Sequence, residues 1–391
     1  MSRRPPHVLF YSHNGLGVGH LRRQLRLAGE LRRRRPDAAI LVASGSHAAS
    51  ALSGPVGFDV VSLPSVRMTD RYETWEPRQP GVTIAEVMRI RSDLLRRTVR
   101  RFKPDLLVAD FMPAGPYGEL LGALEELRAL GGRAVAGFRD IIDEPSFVRD
   151  LWSRTGVYDT LRDNYERICV YGSPSVTDFA ATLGLDPQLA RRVTYTGYLG
   201  NVVTPSATAP SDRPRVIACT GGGADGAALL ETFILAMRER AERFQRPLVV
   251  GGPLLSQPEL ERVRSLVRDS AIVVARFVPD LDQRLADADL VVTMPGYNTT
   301  CELLSGRARA ILVPRSGPSQ EQRLRAAWLH AWGRAEVLEP VGLGPEQLWP
   351  AIERTLRSGA PPPPPVPIDG LERTGELLEA MATGQSLAAT P

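Results

Sequence analysis

Three glycine-bearing segments and a few acid–base side chains hold the residues of this 391-residue chain that could do chemistry. The first, Asn14-Gly15-Leu16-Gly17-Val18-Gly19-His20, stands between a β-rich run and a helical stripe. The second, Thr220-Gly221-Gly222-Gly223-Ala224-Asp225-Gly226, precedes the apolar run 227–237. The third is Met294-Pro295-Gly296-Tyr297-Asn298-Thr299-Thr300-Cys301-Glu302. Glycines let backbone turn tightly and approach a ligand, and a helix start beyond them offers unpaired N–H groups with the positive end of the dipole. Phosphate suits such a place, and diphosphate suits the glycine run of the second segment. In the third segment the amides and hydroxyls of 296–300 can cap a helix or bind phosphate. Glu302, one turn further, can accept hydrogen bonds from two vicinal hydroxyls of a ribose. Thr299 and Glu302 also have capping-box spacing, which would serve the helix alone.

His20 closes the first segment, and an imidazole of near-neutral pKa suits a general base toward a hydroxyl. Its local alternative is a helix-start histidine bound to backbone or phosphate. Asp110, after the run 106–109, and Asp140, after 134–138, are carboxylate candidates for the same duty, with a salt-bridge role open to each. His13 lies close by and can simply end a strand; His7, His47 and His330 have no constellation around them.

Two familiar nucleotide motifs do not fit. Gly15, Gly17 and Gly19 miss the dinucleotide fingerprint because the third glycine comes one residue early, and the second strand ends in Ala43-Ser44-Gly45 without an acid for an adenosine ribose. The 220–226 segment lacks the Lys-Ser/Thr ending of a P-loop. Helix dipoles and loop amides can stabilise a departing diphosphate, so neither a metal nor a cofactor is expected beyond the substrate itself.

These segments need a scaffold that holds them at strand ends. Short β-rich runs at 7–12, 38–43, 59–63, 106–109, 134–138 and 168–171 alternate with helical patterns, and the scheme repeats at 216–219, 248–250, 272–275, 290–293 and 310–313. That alternation predicts an α/β protein with two doubly wound parallel sheets of Rossmann type. The stripe Leu21, Leu25, Leu27, Ala28, Leu31 predicts a helix over 20–35 packed on the first sheet. The expected divisions are an acceptor-binding domain at 1–199, a linker at 200–213 and a nucleotide-binding domain at 214–360. A segment at 361–391 follows, whose prolines 361–365 are extended and whose helix around 371–381 returns to the first domain. Ligands bind at the carboxyl ends of parallel strands, so an activated donor in one half and an acceptor in the other would meet in a cleft.

Composition agrees: 43% hydrophobic and 24% charged residues, near the globular average, exclude disordered, collagen-like and coiled-coil classes. No apolar stretch approaches about 18 residues and the N-terminal run carries no signal-peptide pattern, so a soluble cytoplasmic protein is expected. Cys169, Cys219 and Cys301 fit neither a disulfide framework nor structural zinc. Residues 1–200 hold 28 Lys and Arg against 22 Asp and Glu, and the remainder 20 against 22. The arginines 22, 23, 26 and 32–35 read as a solvated face, or else as attraction to an anionic acceptor or peripheral contact with a membrane surface. Nothing interleaves aromatics among them as nucleic-acid binding would require.

Taken in order, Gly17-Val18-Gly19-His20-Leu21-Arg22-Arg23, Phe138-Arg139-Asp140-Ile141-Ile142-Asp143, Tyr195-Thr196-Gly197-Tyr198, Thr220 to Gly226, Gly296-Tyr297-Asn298-Thr299 and Glu321-Gln322-Arg323 make the chain resemble the GT-B glycosyltransferases of the MurG type, over nearly its whole length. It is most similar there to a bacterial branch of predicted glycosyltransferases. The resemblance implies a nucleotide sugar, usually a uridine diphosphate sugar, held by the C-terminal domain. Glu302 would hold the ribose hydroxyls, Gly222, Gly223, Ala224, Gly296, Asn298 and Thr299 the diphosphate, and Val278 the uracil edge through its backbone. Glu321 and Gln322 take the place of two glutamines that hold donor-sugar hydroxyls, and the acidic first member departs from that pattern. In the first domain, Gly17 and Gly19 belong to the matching loop and His20 corresponds to its histidine. Such an enzyme inverts the anomeric centre by in-line attack. A small-molecule acceptor of specialised, antibiotic-type biosynthesis is the first expectation, with a lipid-linked acceptor, a sugar-nucleotide epimerase or hydrolase, and a non-catalytic nucleotide-sugar sensor as alternatives.

Overall fold

The computed structural model describes residues 4–13, 18–47, 49, 53, 57–200 and 212–385. The chain separates into two units, residues 1–198 with 369–391, and residues 199–368. Gly17 and residues 201–211 of the expected linker lie outside the described residues.

In the first unit, nine strands are β1 (His7–Ser12), β2 (Ala39–Ser44), β3 (Asp59–Ser62), β4 (Val66–Met68), β5 (Trp75–Pro77), β6 (Leu106–Asp110), β7 (Arg133–Arg139), β8 (Arg167–Tyr171) and β9 (Val193–Tyr195). Seven form one sheet in the order β3-β2-β1-β6-β7-β8-β9, all pairings parallel. The central strands are buried on both faces, which is why they read as unbroken apolar runs. β4 and β5 form a separate antiparallel hairpin.

The second unit contains β10 (Val216–Cys219), β11 (Leu248–Val250), β12 (Val273–Ala275), β13 (Leu290–Thr293), β14 (Arg309–Leu312) and β15 (Ala335–Val337), in the order β12-β11-β10-β13-β14-β15, again all parallel. In both sheets the order reverses beside the first strand, between β1 and β6 and between β10 and β13. Loops leaving the carboxyl ends of those pairs diverge to opposite faces and open a crevice there.

The helix Gly19–Arg34 buries Leu21, Leu25, Leu27, Ala28 and Leu31, the stripe read from the sequence. Its outer side is covered by the helix Gly370–Thr383, where Arg34 Nε bonds Glu379 at 2.9 Å and a Cβ on Gly375 would stand 2.5 Å from Glu30 Cγ. The arginine run is thereby corrected. Arg23 is 2% exposed, Arg34 bonds the covering helix, and Arg33 and Arg35 pair with Glu30 and Asp37, so charge pairing and burial take up much of what reads as a free basic face.

Sequence pattern did not reveal the β4–β5 hairpin, the helix Ile84–Phe102, or the edge strands β9 and β15. The last two are three residues each, too short for an alternation to register. The three cysteines are buried and none is in a disulfide. Among the described residues no helix is long and apolar enough to cross a membrane.

Candidate active site

At the reversal point of the first sheet, β1 ends in Ser12 and β6 in Asp110, which are register partners. The helix Gly19–Arg34 begins there with Gly19 and His20 in its first turn. Asp110 is fully buried. Its Oδ2 lies 2.6 Å from His20 Nδ1, and Arg23, one turn along the same helix, donates from Nε to Oδ1 at 2.8 Å and from Nη2 to Oδ2 at 2.6 Å. The spacing of His20 and Arg23 puts both side chains on one helical face.

Burial pushes the Asp110 carboxyl up, but Arg23 and His20 outweigh it and hold it well below the usual carboxylate range. Burial also lowers His20, with Asp110 opposing and Arg23 and Arg139 adding to the effect, so the ring is neutral near pH 7. An ionised carboxylate only accepts, hence the 2.6 Å bond requires the proton on Nδ1. Arg23 Nη2 also stands 2.9 Å from Nδ1, but a protonated Nδ1 offers no lone pair, and Nε and Nη2 each donate to Asp110. The lone pair of the ring is therefore on Nε2, ready to take a proton. The His20 side chain keeps 15% exposure.

Aromatic rings surround this pair. His13, 3% exposed and lowered chiefly by burial, lies 4.8 Å from His20 ring to ring and 5.7 Å edge-on from Trp75. Phe111 lies 5.1 Å from His20, and the Arg139 guanidinium sits 4.9 Å over its ring. The chain turns sharply after Asp110: Phe111 has φ 69°, its N–H bonded to Gly137 at 2.8 Å. A bulky residue held in that region costs about 1–3 kcal/mol, strain that the surrounding packing must hold in place. Asp140 is placed differently. It is 2% exposed, Oδ1 accepts the Ile141 N–H at 2.8 Å and Oδ2 accepts the Tyr198 hydroxyl, so both oxygens are engaged by the protein.

The second unit's reversal point is made of backbone. After β10, Gly221 and Gly223 have φ 62° and 87°, and after β11 Gly252 has φ 91°. The two loops press together: Leu254 N–H bonds Gly222 at 2.9 Å, and a Cβ on Gly223 would lie 2.1 Å from the Gly251 carbonyl oxygen. The helix Ala227–Met237 starts from Gly226 and the helix Tyr297–Ser305 from Gly296, neither with a side-chain cap nor an acid in its first turn. A Cβ on Gly221 would stand 3.7 Å from Thr299 Oγ1, which sets the first of these loops against the start of the second helix. Two adjacent uncapped helix starts concentrate amide dipoles on one spot, an arrangement suited to a diphosphate.

Asn298 and Thr299 lie in the first turn of Tyr297–Ser305 and Glu302 lies one turn on; with Gly296 as the cap residue, Thr299 and Glu302 form no capping box. Ala224 is exposed in its loop, and Val278 is half-buried in the loop after β12, beside the 55% exposed Phe277. Glu321 Oε1 pairs at 2.6 Å with the fully buried Arg325, and Gln322 Oε1 accepts the Arg315 N–H at 2.8 Å. The acid in the place of a glutamine thus has a protein partner four residues away. Sequence reasoning missed Arg23, Arg325 and the Tyr198 bond to Asp140. The i,i+4 spacing of Glu321 and Arg325 was the one available signal.

The match to known proteins follows the same division. Residues 216–361 match the glycosyltransferase family 28 C-terminal domain. Together with its relatives and its fold, this makes the chain similar to the glycosyltransferases of the MurG type. Over 237 residues it is 30% identical to the UDP-N-acetylglucosamine--N-acetylmuramyl-(pentapeptide) pyrophosphoryl-undecaprenol N-acetylglucosamine transferase of Methylobacterium sp. (strain 4-46), an alignment covering 55% of this chain and 61% of that one. The chain spans less than two thirds of the length of most of the curated relatives it matches. The fold is similar to MurG of Acinetobacter baumannii, at a TM-score of 0.59 and 16% identity over 97% of this chain and 100% of that one. It is similar also to CalG4, the calicheamicin glycosyltransferase, at 0.59 and 17% over 98% and 95%.

Proposed function

We propose that the protein is an inverting glycosyltransferase that moves a sugar from a nucleoside diphosphate, with uridine as the base, to a hydroxyl of a small-molecule acceptor. The observation that carries the reading is the buried triad at the end of β1 and β6, with His20 Nδ1 2.6 Å from the Asp110 carboxylate and Arg23 bonded to both oxygens of that carboxylate. In the proposed step the acceptor O–H gives its proton to His20 Nε2 while its oxygen forms the new bond to the anomeric carbon. The anomeric carbon–oxygen bond to the diphosphate breaks at the same time, and the electron pair leaves with the diphosphate. The positive charge that grows on the imidazole lies against the Asp110 carboxylate. The negative charge that grows on the leaving oxygen would be met by the amides of Gly221–Gly226 and Gly296–Thr299. Glu302 is assigned to the ribose hydroxyls and the backbone of Val278 to the base.

A thermal-shift series with nucleoside mono- and diphosphates tests the donor half, because a ligand that binds only the folded chain raises its melting temperature. Uridine diphosphate should give the largest shift. Release of uridine diphosphate from its sugars, measured with and without hydroxyl acceptors, tests the transfer. Release that is independent of acceptor, or an altered sugar still joined to its nucleotide, would favour a hydrolase or an epimerase instead.

A further inference from the structure

The first unit contains a cavity of about 580 Å³ lined in part by Phe111, whose ring lies 5.1 Å from that of His20, and its volume is within the size range of sites for drug-sized ligands. Five aromatic side chains line it: Tyr72, Trp75, Phe111, Tyr117 and Trp152. The charged residues on its wall, Glu73 and Arg154, are paired with each other and offer no net charge to a guest. Its walls are braced. Arg71 ties the turn after β4 to Asp143 with bonds of 2.5 and 3.1 Å, and the Tyr117 hydroxyl accepts the Trp75 N–H at 3.2 Å.

The backbone here is unusual in a way that packing alone does not require. Among the described residues, six that are not glycine have positive φ, and three of them are Tyr72 (73°), Phe111 (69°) and Tyr117 (50°), all on this wall. Bulky side chains rarely occupy that region, and such strain gathers at ligand sites. Tyr117 remains 58% exposed although the turn projects it over the cavity, a poor arrangement for a core residue and a suitable one for a ring that covers a guest.

We propose that this cavity seats the acceptor, that the acceptor is an uncharged molecule bearing planar rings, and that Phe111 is a positioning residue that sets its hydroxyl against His20. The assignment rests on the glycosyl-transfer reading and narrows it. Aromatic walls favour flat rings through edge and offset contacts. The self-paired Glu73 and Arg154 leave no cation for a pyrophosphate group. Phe111 lines the cavity and lies 5.1 Å from the His20 ring, so a guest ring packed against it is held close to the base.

The test uses the full chain and 1-naphthol, with farnesol and inorganic pyrophosphate as controls. Binding is followed without donor by fluorescence of the tryptophans, two of which line the cavity. Saturable quenching by 1-naphthol is expected, weakened at least tenfold by Ala114→Phe, which fills the cavity, and by Tyr117→Ala, which removes an exposed ring and its one bond to the Trp75 N–H. Phe111→Leu should lower kcat for a naphthol acceptor tenfold or more with KM changed less than threefold, and Phe111→Tyr should restore it. Tighter binding of farnesol or pyrophosphate than of naphthol, or naphthol binding untouched by both cavity variants, overturns the proposal. Naphthol bound as expected with no transfer from any nucleotide sugar would instead sink the transferase reading while leaving the ring site standing.

Discussion

The two sheets share a strand order and differ in what occupies the crevice that order creates. At the end of β1 and β6 the first unit assembles side chains: an imidazole, a carboxylate, two guanidinium groups and a ring of aromatics, nearly all buried. At the end of β10 and β13 the second unit presents glycines in left-handed conformations and helix starts that no side chain caps. One topology therefore provides a place twice, and the loops decide whether that place gathers side chains or backbone amides. A side-chain site is tuned by burial and neighbouring charge, whereas a main-chain site is tuned by which backbone shapes are permitted. The two should consequently fail differently.

The largest effect is expected from His20→Ala, a loss of about 10⁴-fold in kcat, at the upper end for a positioned base, with the melting shift caused by uridine diphosphate unchanged. A variant that turns over normally would remove the chemistry from the first unit. Asp110→Asn should cost about ten- to a hundredfold less than His20→Ala, because the base remains but its proton is no longer held on Nδ1. Steady-state kinetics of the two variants side by side checks the ranking. In the second unit, Gly223→Val places a side chain against the Gly251 carbonyl and demands a φ that valine avoids. It should abolish the uridine diphosphate shift while circular dichroism stays near that of the parent.

Glu302→Ala should weaken uridine diphosphate about tenfold, about 1.4 kcal/mol, and leave inorganic pyrophosphate unaffected, since only the ribose contact is removed. Calorimetric titration of both ligands separates them. The smallest effect is on stability. His13 and His20 both titrate below their ordinary value in the folded chain, so the unfolded chain takes up protons first. Their contribution is complete above about pH 6.5 and is lost as pH falls below it, at about 1.4 kcal/mol per pH unit for each ring. Asp110, held low, adds a further loss only below the ordinary range of an aspartate. Urea unfolding at pH 7.5 and 5.5, with His13→Phe reducing the difference, measures it.

Much of this architecture was legible. Strands buried on both faces are continuous apolar runs, and β1, β8, β10, β11 and β13 stand where those runs stand. His20, Asp110 and the glycines were legible because each follows such a run, and a residue after a parallel strand lies at the ligand edge. What could not be read is what the fold brings together across distance. Arg23 sat in a row of arginines with nothing to mark it as the buried one, because its partner is 87 residues away. The rings at 72, 75, 111, 117 and 152 follow no period, and only the hairpin, the turn after β6 and the helix Pro145–Arg154 together make them one wall. The bond from Tyr198 to Asp140 likewise joins the ends of separate strands.

The helix Gly370–Thr383 lies on the helix that begins at His20, yet the chain reaches it only after running through residues 199–368. On a ribosome, the second unit is thus synthesised whole while the first still lacks the layer that this helix adds. The histidine's own helix keeps one flank bare until that later segment has been made. A messenger cut short after codon 368 would yield a finished second lobe joined to a first whose acid–base pair has lost its buttress.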